Sequence, residues 1–475
     1  MTERIVVVGH GMAAVRLVEE LVARGVHRTG HITVLGEEPH PPYNRILLSA
    51  VLEGTHRPEA ITLRSPEWYA EHGVELRLGT RVVDVHREAR EVELADRQLV
   101  PYDRLVLATG SIPTLPPIRG LVRVDGQLHE KVHAFRSLDD CARLERAVPS
   151  ARRAVVVGGG LLGLQVARAL SVRGVETEIV EGAEHLLRSH VDEKSGAILR
   201  RSLTRLGTTV YTGARAVRLT DDGLRLDNGY TLDSDLIVLT AGGRPSINLA
   251  RRAGLSTRRG VVVEDTLASV DDERIHAIGD CAEHDGRTTG FVPPAWEQAE
   301  ILADRLAGGS ANYDGHRLVA RLRATGLDVA VLGDPDLTTG PAPEGAEVVE
   351  VANPIAGSRR RLVIRDGVVV AATLVGDLSR IGLITQAFDR GTVLGDHEPG
   401  ALLMGYAAGP SPDQAAQALP DDAEVCACAG VSAGRIRACT SVEEARETTR
   451  ATTGCGGCAS VVRTLIENGL RAVPS

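Results

Sequence analysis

Two glycine-rich turns carry the chemistry that can be read first. Arg4-Ile5-Val6-Val7-Val8 runs into Gly9-His10-Gly11-Met12-Ala13-Ala14, and Arg153-Ala154-Val155-Val156-Val157 runs into Gly158-Gly159-Gly160-Leu161-Leu162-Gly163. Each is a G-x-G-x-x-G/A pattern between an apolar strand and a helical pattern. Glycines at these positions let the backbone approach a pyrophosphate, which then sits at the positive N-terminal end of a helix. The strand that follows each helix ends in acid: Glu37 and Glu38 after His31-Ile32-Thr33-Val34-Leu35, and Glu181 after Glu176-Thr177-Glu178-Ile179-Val180. A carboxylate there accepts hydrogen bonds from a ribose. One such motif is a weak signal. Two copies, each closed by an acid, point to two dinucleotide sites.

Thiols form the second group. Cys141 and Cys281 stand alone in the first 400 residues, whereas Cys426, Cys428, Cys439, Cys455 and Cys458 crowd into the last 50, so the tail reads as a separate unit. A structural zinc site and a redox-active Cys-x-x-Cys pair are both open readings of such a tail.

The elements that must position these groups follow from the apolar pattern. Short apolar runs before each glycine turn read as buried parallel strands, and Val15, Leu17, Val18, Leu21 and Val22 as one face of a helix. Beyond Gly308 the stretches Val329-Ala330-Val331-Leu332, Arg361-Leu362-Val363-Ile364 and Val368-Val369-Val370 read as strands. Loops such as Thr338-Thr339-Gly340-Pro341-Ala342-Pro343 separate them, which describes a third, small α+β domain. Residues 396–420 hold Pro399, Pro410, Pro412 and Pro420 among Gly and Ala and read as a linker.

Composition narrows the class. A chain of 475 residues is long enough for two or three domains at ~150 residues each. Hydrophobic residues at 43% and charged residues at 25% exclude disordered and collagen-like classes. With 54 basic against 63 acidic residues the formal charge is −9, which argues against a nucleic-acid or anionic-membrane partner. Aromatics at 3% leave little for stacking bases. Lys131 and Lys194 are the only lysines, and the scattered arginines read as codon bias rather than as a device. No stretch reaches the ~18 apolar residues of a membrane span, and the N-terminus lacks a signal-peptide pattern. The expected location is cytoplasmic, where thiols are reduced, ligated or inert.

With these residues in view, the first 395 or so resemble the two-dinucleotide flavoprotein reductases: NAD(P)H-dependent ferredoxin and rubredoxin reductases and the flavoprotein part of assimilatory nitrite reductase. The two glycine motifs, Leu107-Ala108-Thr109-Gly110-Ser111-Ile112-Pro113 and Ile278-Gly279-Asp280-Cys281-Ala282 carry the likeness. Pro42-Tyr43-Asn44-Arg45-Ile46-Leu47-Leu48-Ser49 is similar to the family's flavin-lining segment and is most like the nitrite-reductase branch. The resemblance implies an α/β chain with two Rossmann-like domains, one for FAD (1–113 and 244–310) and one for NAD(P)H (114–243). A small α+β interface domain (311–395) follows. It implies that Gly9, Gly11 and Ala14 cradle the FAD pyrophosphate, that Glu37 or Glu38 holds its ribose, and that Arg45, Thr109, Gly110, Gly279 and Asp280 lie along FAD. It also implies that Gly158, Gly160, Leu161, Leu162, Gly163, Glu181 and Gly242 serve the nicotinamide dinucleotide. A carboxylate at Glu181 repels a 2′-phosphate, so NADH is expected over NADPH, with Arg188 nearby as the opposing signal.

The tail resembles the 2Fe-2S domain of bacterioferritin-associated ferredoxin. Cys426-Ala427-Cys428, 26 further residues and Cys455-Gly456-Gly457-Cys458 carry that likeness, with Val431-Ser432, Ile436, Thr449 and Gly454 in agreement. It implies a small helical domain (421–475) with Cys426, Cys428, Cys455 and Cys458 as cluster ligands and Cys439 as a bystander.

Departures from the family shape the expected mechanism. The segment 41–49 holds no cysteine, so a thiol relay beside the flavin is not expected, and Cys281 reads as packing. A lysine and a glutamate that relatives pair are here Ala50 and Gln165. That leaves Arg45 and Gln165 as flavin-proximal candidates, and no side chain is nominated as an acid or base. A sirohaem and 4Fe-4S site would need further clustered cysteines. The terminal catalyst is therefore expected on another polypeptide, and the likeness as a whole is to the electron-transfer subunit of assimilatory nitrate or nitrite reductase. A reductase serving an oxygenase, an opine or amino-acid dehydrogenase subunit, and an iron-sensing or ferritin-docking module are the alternatives.

Overall fold

The computed structural model describes residues 3–315, 319–324, 326–395, 398–404, 419–426, 429–453 and 458–471. Two compact units divide the chain. One comprises Met1–Arg45, Arg57–Thr114 and Gly243–His316, and the other Ile46–His56, Leu115–Gly242 and Arg317–Ser475.

The first unit is built on an eight-stranded sheet in which Arg4–Val8 lies between His31–Leu35 and Arg104–Leu107. All three run parallel, with Val6 opposite Thr33 on one side and Leu105 on the other. Strands covered on both faces must be apolar along their whole length, and Ile5, Val6 and Val7 are at most 1% exposed. The helix Met12–Ala23 buries Ala14, Val15, Leu17, Val18 and Leu21 at helical spacing and packs on the helix Val292–Leu306.

The second unit repeats the plan. Five parallel strands run in the order Thr208–Thr212, Glu176–Glu181, Arg153–Val157, Leu236–Leu239 and Val132–Ala134. The short helix Leu48–Glu53 also belongs here. It buries Leu48, Val51 and Leu52 and packs on the helix Leu161–Val172, and Arg173 Nη1 donates to the Leu52 carbonyl at 2.9 Å. The flavin-type segment therefore divides after Arg45, and Ile46–His56 leaves the continuous stretch 1–113 expected for the first fold.

An antiparallel sheet follows, ordered Val319–Ala324, Leu327–Gly333, Val368–Val375, Ser358–Arg365 and Ala346–Asn353. Consecutive arginines on the strand Ser358–Arg365 fasten it to its surroundings. Arg361 is buried and donates to the carbonyls of Leu337, Thr338 and Gly340, which end a short helix, Pro335–Thr339. That helix replaces the start of the loop expected at Thr338-Thr339. Asp334 caps it and Pro335 opens it, the signature of a helix start. Arg360 pairs with Asp377 and donates to the Leu403 carbonyl, while Arg380 donates to those of Ala401 and Leu402. The recipients end the helix Glu398–Met404, whose Leu403 is buried in this domain's core. The expected linker at 396–420 is thus helical and docked over residues 398–404. Its Pro and Gly content conceals this because the anchoring donors lie far away in sequence. Residues 396–397 and 405–418 lie outside the described residues.

The tail forms a short antiparallel pair, Glu424–Cys426 with Val431–Ser432, and the helices Ala433–Arg437, Val442–Thr449 and Ala459–Arg471. Val431, Ile436, Ala445, Val462 and Leu465 are buried there. No helix among the described residues is long and apolar enough to cross a membrane.

Arg359, 3% exposed, joins the antiparallel sheet to the nucleotide fold of the same unit. It donates to both Asp192 oxygens at 2.6 and 2.8 Å, to Ser195 Oγ at 2.7 Å and to Glu350 at 2.5 Å. Burial alone would raise the Asp192 and Glu350 carboxyls, but the hydrogen bonds from Arg359 hold both below their ordinary values. Depressed carboxylate pKa values contribute stability above the unfolded value, near ~4, and that stability is lost as pH falls through the folded value. Arg359→Met is expected to cost about 3 kcal/mol at pH 7. The gap from the parent should narrow below about pH 4 as the carboxylates protonate. Urea midpoints at pH 7 and at acid pH check both statements, and a gap independent of pH would refute the second.

Candidate cofactor and electron-transfer sites

Each glycine cradle is shaped by a neighbouring carbonyl. Gly9 has φ +105°, and a Cβ there would lie 2.2 Å from the Ala108 carbonyl oxygen. Gly158 has φ +118°, and its Cβ would lie 2.6 Å from the Thr240 carbonyl oxygen. By contrast, a Cβ on Gly11 or Gly160 would meet nothing within 4 Å, so the space before each helix is open. Gly11 and Gly160 are the N-cap residues of Met12–Ala23 and Leu161–Val172, whose first N–H groups lack intrahelical partners. At the third motif position the two folds differ. A Cβ on Gly163 would lie 1.9 Å from the Gly158 carbonyl oxygen, whereas the first fold buries the methyl of Ala14. Leu161 and Leu162 open the second helix, and Gly242 is exposed with φ +89°.

The acids beside the cradles have distinct roles. Glu181 accepts from the Gly159 N–H at 2.6 Å through Oε2 and from the Ala183 N–H at 2.7 Å through Oε1. Its carboxylate is thereby aimed by the glycine turn itself. Glu38 accepts from the Tyr43 hydroxyl at 2.6 Å and pairs with Arg45, whose guanidinium lies 4.8 Å above the Tyr43 ring. Burial would raise Glu38, but the charge of Arg45 and the bonds from Tyr43 and Arg45 hold it low. Glu37 is 71% exposed at its side chain, with Arg81 3.5 Å away. The sequence leaves Glu37 and Glu38 as alternatives, and the structure commits Glu38 to Arg45.

Asp280 accepts from Ser111 Oγ at 2.6 Å, and its charge reaches Arg45. Thr109 Oγ1 donates to the Ser246 carbonyl at 2.8 Å, next to Gly110 at φ +63°. Gly279, at φ +74°, donates its N–H to the buried Gln298 Oε1 at 2.8 Å. Thus Arg45, Glu38 and Asp280 share one electrostatic neighbourhood in the first unit. Sequence reasoning missed Ser111, Tyr43 and Gln298 as its supports. Ser111 and Tyr43 stand inside motifs already singled out; the partner of Ser111 is distant in sequence, and that of Tyr43 is reached only when the segment after the strand folds back. His10 was missed too. It is buried with Nε2 3.1 Å from the His40 carbonyl, and burial pushes its pKa down. A Cβ on Gly36 would sit 2.4 Å from His10 Nδ1, which accounts for the glycine before the acids.

Gln165 and Ala50 lie on the helices Leu161–Val172 and Leu48–Glu53, which pack on each other in the second unit. The two positions whose charges are both missing are therefore on neighbouring elements.

Of the four expected cluster ligands, Cys426 and Cys458 are buried in the tail, and Cys428 and Cys455 lie outside the described residues. Cys439 is buried and directs its thiol to the Arg435 carbonyl at 3.4 Å. No group of three or more His, Cys, Asp or Glu able to hold a metal occurs among the described residues. Cys281 is fully buried with its sulfur 3.3 Å from the carbonyls of Leu107 and Ile278, and burial pushes its thiol up, away from the thiolate. Cys141 is likewise pushed up to about 12 by burial.

Paired cradles at the ends of parallel strands define a protein built from two dinucleotide-type folds. The chain belongs to the pyridine nucleotide-disulphide oxidoreductase family, which matches residues 3–299. It is 32% identical to a Bacillus subtilis nitrite reductase (NAD(P)H) over 98% of this chain and 58% of that relative. It is 30% identical to the B. subtilis assimilatory nitrate reductase electron transfer subunit over 98% of this chain and 59% of that relative. The chain thus spans less than two thirds of the length of either. Among solved structures, the covalent putidaredoxin reductase–putidaredoxin complex superposes with a TM-score of 0.76 at 25% identity, covering 88% of this chain and 99% of that one.

The glycine geometry separates fold from binding. Gly163→Ala is expected to destabilise the second unit by about 2 kcal/mol or more, since backbone must shift to admit the methyl. Gly160→Ala should cost less than about 1 kcal/mol yet weaken nucleotide binding, because it fills the space before the helix. Thermal melts and NADH titration of both variants check this. Equal loss of stability in the two would contradict it.

Proposed function

We propose that this protein is an NADH-dependent electron-transfer reductase that holds FAD in the first unit and NADH on the second unit's glycine cradle. Electrons then pass to a 2Fe-2S cluster on the tail and on to a terminal reductase carried by another polypeptide. The observation that carries the reading is the pair of open cradles, each with an acid at the end of the neighbouring strand, on one chain with a cysteine-rich tail. FAD, when bound, accepts a hydride and releases electrons singly, the conversion that a nicotinamide donor and a one-electron acceptor require. The residues fit it: the glycine turn leaves room for its pyrophosphate, Glu37 is open to its ribose, and Asp280, which accepts from Ser111, would lie along its ribityl chain. Arg45, fixed by Glu38 and Tyr43, supplies positive charge beside it. Glu181, aimed by two backbone N–H groups, accepts from a free 2′-hydroxyl and repels a 2′-phosphate. The cluster ligands on this reading are Cys426, Cys428, Cys455 and Cys458.

The terminal partner is assimilatory nitrate reductase, with nitrite reductase second. This rests on the likeness of nearly the whole chain to relatives of those names. A reductase for a ferredoxin-type acceptor is the second reading, favoured by the likeness to the putidaredoxin reductase complex.

An anaerobic NADH titration followed by absorbance and low-temperature EPR tests the relay. One flavin and one cluster together take up ~1.5 NADH when both are within its reach. Cys428→Ser should abolish the cluster EPR signal and leave flavin bleaching intact at ~1 NADH. Bleaching at ~1 NADH in the parent with zinc in place of iron would overturn the cluster assignment. Glu181→Ala is expected to narrow the preference for NADH over NADPH by on the order of 10-fold, read as the ratio of kcat/KM values for the two donors. An unchanged ratio would remove Glu181 from the selection. Cross-reduction of isolated nitrate reductase, nitrite reductase and ferredoxin acceptors decides the partner.

A further inference from the structure

A cleft of about 150 Å³ opens in the first unit beside the paired strands Ser111–Pro113 and Gly243–Pro245. Arg244, Arg251 and Arg259 line it, together with Ser246 and Asn248. Among the described residues none of these three guanidiniums makes an ion pair or a hydrogen bond, whereas their neighbour Arg252 is paired with Asp84 at 2.8 Å. The buried Glu283 directs Oε2 to the backbone N–H groups of Arg259 and Gly260 at 2.7 and 2.8 Å rather than to a guanidinium. In a chain of formal charge −9, three guanidiniums without an ion-pair partner around one small concavity make a local site of opposite sign. Guanidinium forks match the oxygens of a phosphate in pairs, and the volume suits one such group rather than a protein segment. The Ser246 hydroxyl and the Asn248 amide add neutral donors.

We propose that this cleft binds a phosphate group, either as free inorganic phosphate or on a small phosphomonoester, separately from the two dinucleotide cradles. Its wall adjoins the turn expected to lie along FAD. The Ser246 N–H donates to the Gly110 carbonyl at 2.9 Å and the Ser246 carbonyl accepts from Thr109 Oγ1 at 2.8 Å.

Calorimetric titration of inorganic phosphate into the FAD-loaded full chain, in excess NAD⁺ to occupy the second cradle, tests the site. One phosphate per chain is expected. Arg251→Gln should weaken it about 10-fold, and Arg251→Gln with Arg259→Gln more than that. Arg252→Gln, outside the cleft, should leave it unchanged. All these side chains are exposed, so the variants should keep the parent's melting temperature. AMP binding more tightly than phosphate at the same site would make a phosphomonoester the ligand, and AMP binding no more tightly would make it free phosphate. Unaltered phosphate binding in the double variant, or binding abolished by chloride at matched ionic strength in all variants alike, would overturn the proposal.

Discussion

Both halves of the nucleotide-binding architecture depend on one steric constraint. The strand next to each first strand ends in a backbone carbonyl, at Ala108 in the first fold and Thr240 in the second, and that oxygen occupies the place where a side chain on Gly9 or Gly158 would begin. Both glycines take the left-handed region, which lets the chain turn sharply enough for the helix to start at the strand's end. The approach is held by ladder-like bonds: Gly9 donates to Leu35 O and Ala108 to Val8 O, and in the second fold Gly158 donates to Val180 O and Thr240 to Val157 O. The open space before each helix follows from this geometry, as does the position of the acid at the end of the neighbouring strand.

The acids show how similar sequence signals acquire different physical roles. Glu181 is drawn back onto the glycine turn by two backbone donors, one to each oxygen, so the carboxylate closes the turn and keeps further lone pairs for other donors. Glu38 is instead drawn to Arg45 and Tyr43, and its neighbour Glu37 remains exposed. Asp280 lies close enough to act on the same arginine, so the first site has a half-buried cation that answers to two carboxylates. Interactions of that kind fix side-chain direction more than they add net stability.

Arginine is the structural currency of the remaining domains. Arg359 gathers two carboxylates and a hydroxyl, Arg361 ends a short helix by taking two of its carbonyls and that of the residue after it, and Arg360 with Arg380 takes the carbonyls at the end of Glu398–Met404. A guanidinium suits this because its five donors are fixed in a plane and its charge persists on burial. Helix ends that would otherwise need solvent are satisfied within the domain.

Much of this was legible from local pattern. The strand–glycine–helix units at Arg4–Ala14 and Arg153–Gly163 are legible because apolar runs, glycine spacing and a following acid are all local features, and backbone sterics allow few alternatives. The strands at Val329–Leu332 and Val368–Val370 are legible for the same reason. The choice between Glu37 and Glu38 was not, because it depends on Tyr43 and Arg45 folding back onto the end of the strand. Nor was the departure of Ile46–His56 to the second unit, which depends on Leu48, Val51 and Leu52 finding the helix Leu161–Val172 more than a hundred residues away. The helix at Glu398–Met404 reads as linker from its Pro and Gly content, and becomes a docked helix only when Arg360 and Arg380 arrive from a distant strand and turn. Local spacing by itself determined where a dinucleotide can be cradled and where thiols gather. Tertiary structure alone decided which charged group each carboxylate answers to and which arginines remain without one, because those pairings join residues that the chain brings together only on folding.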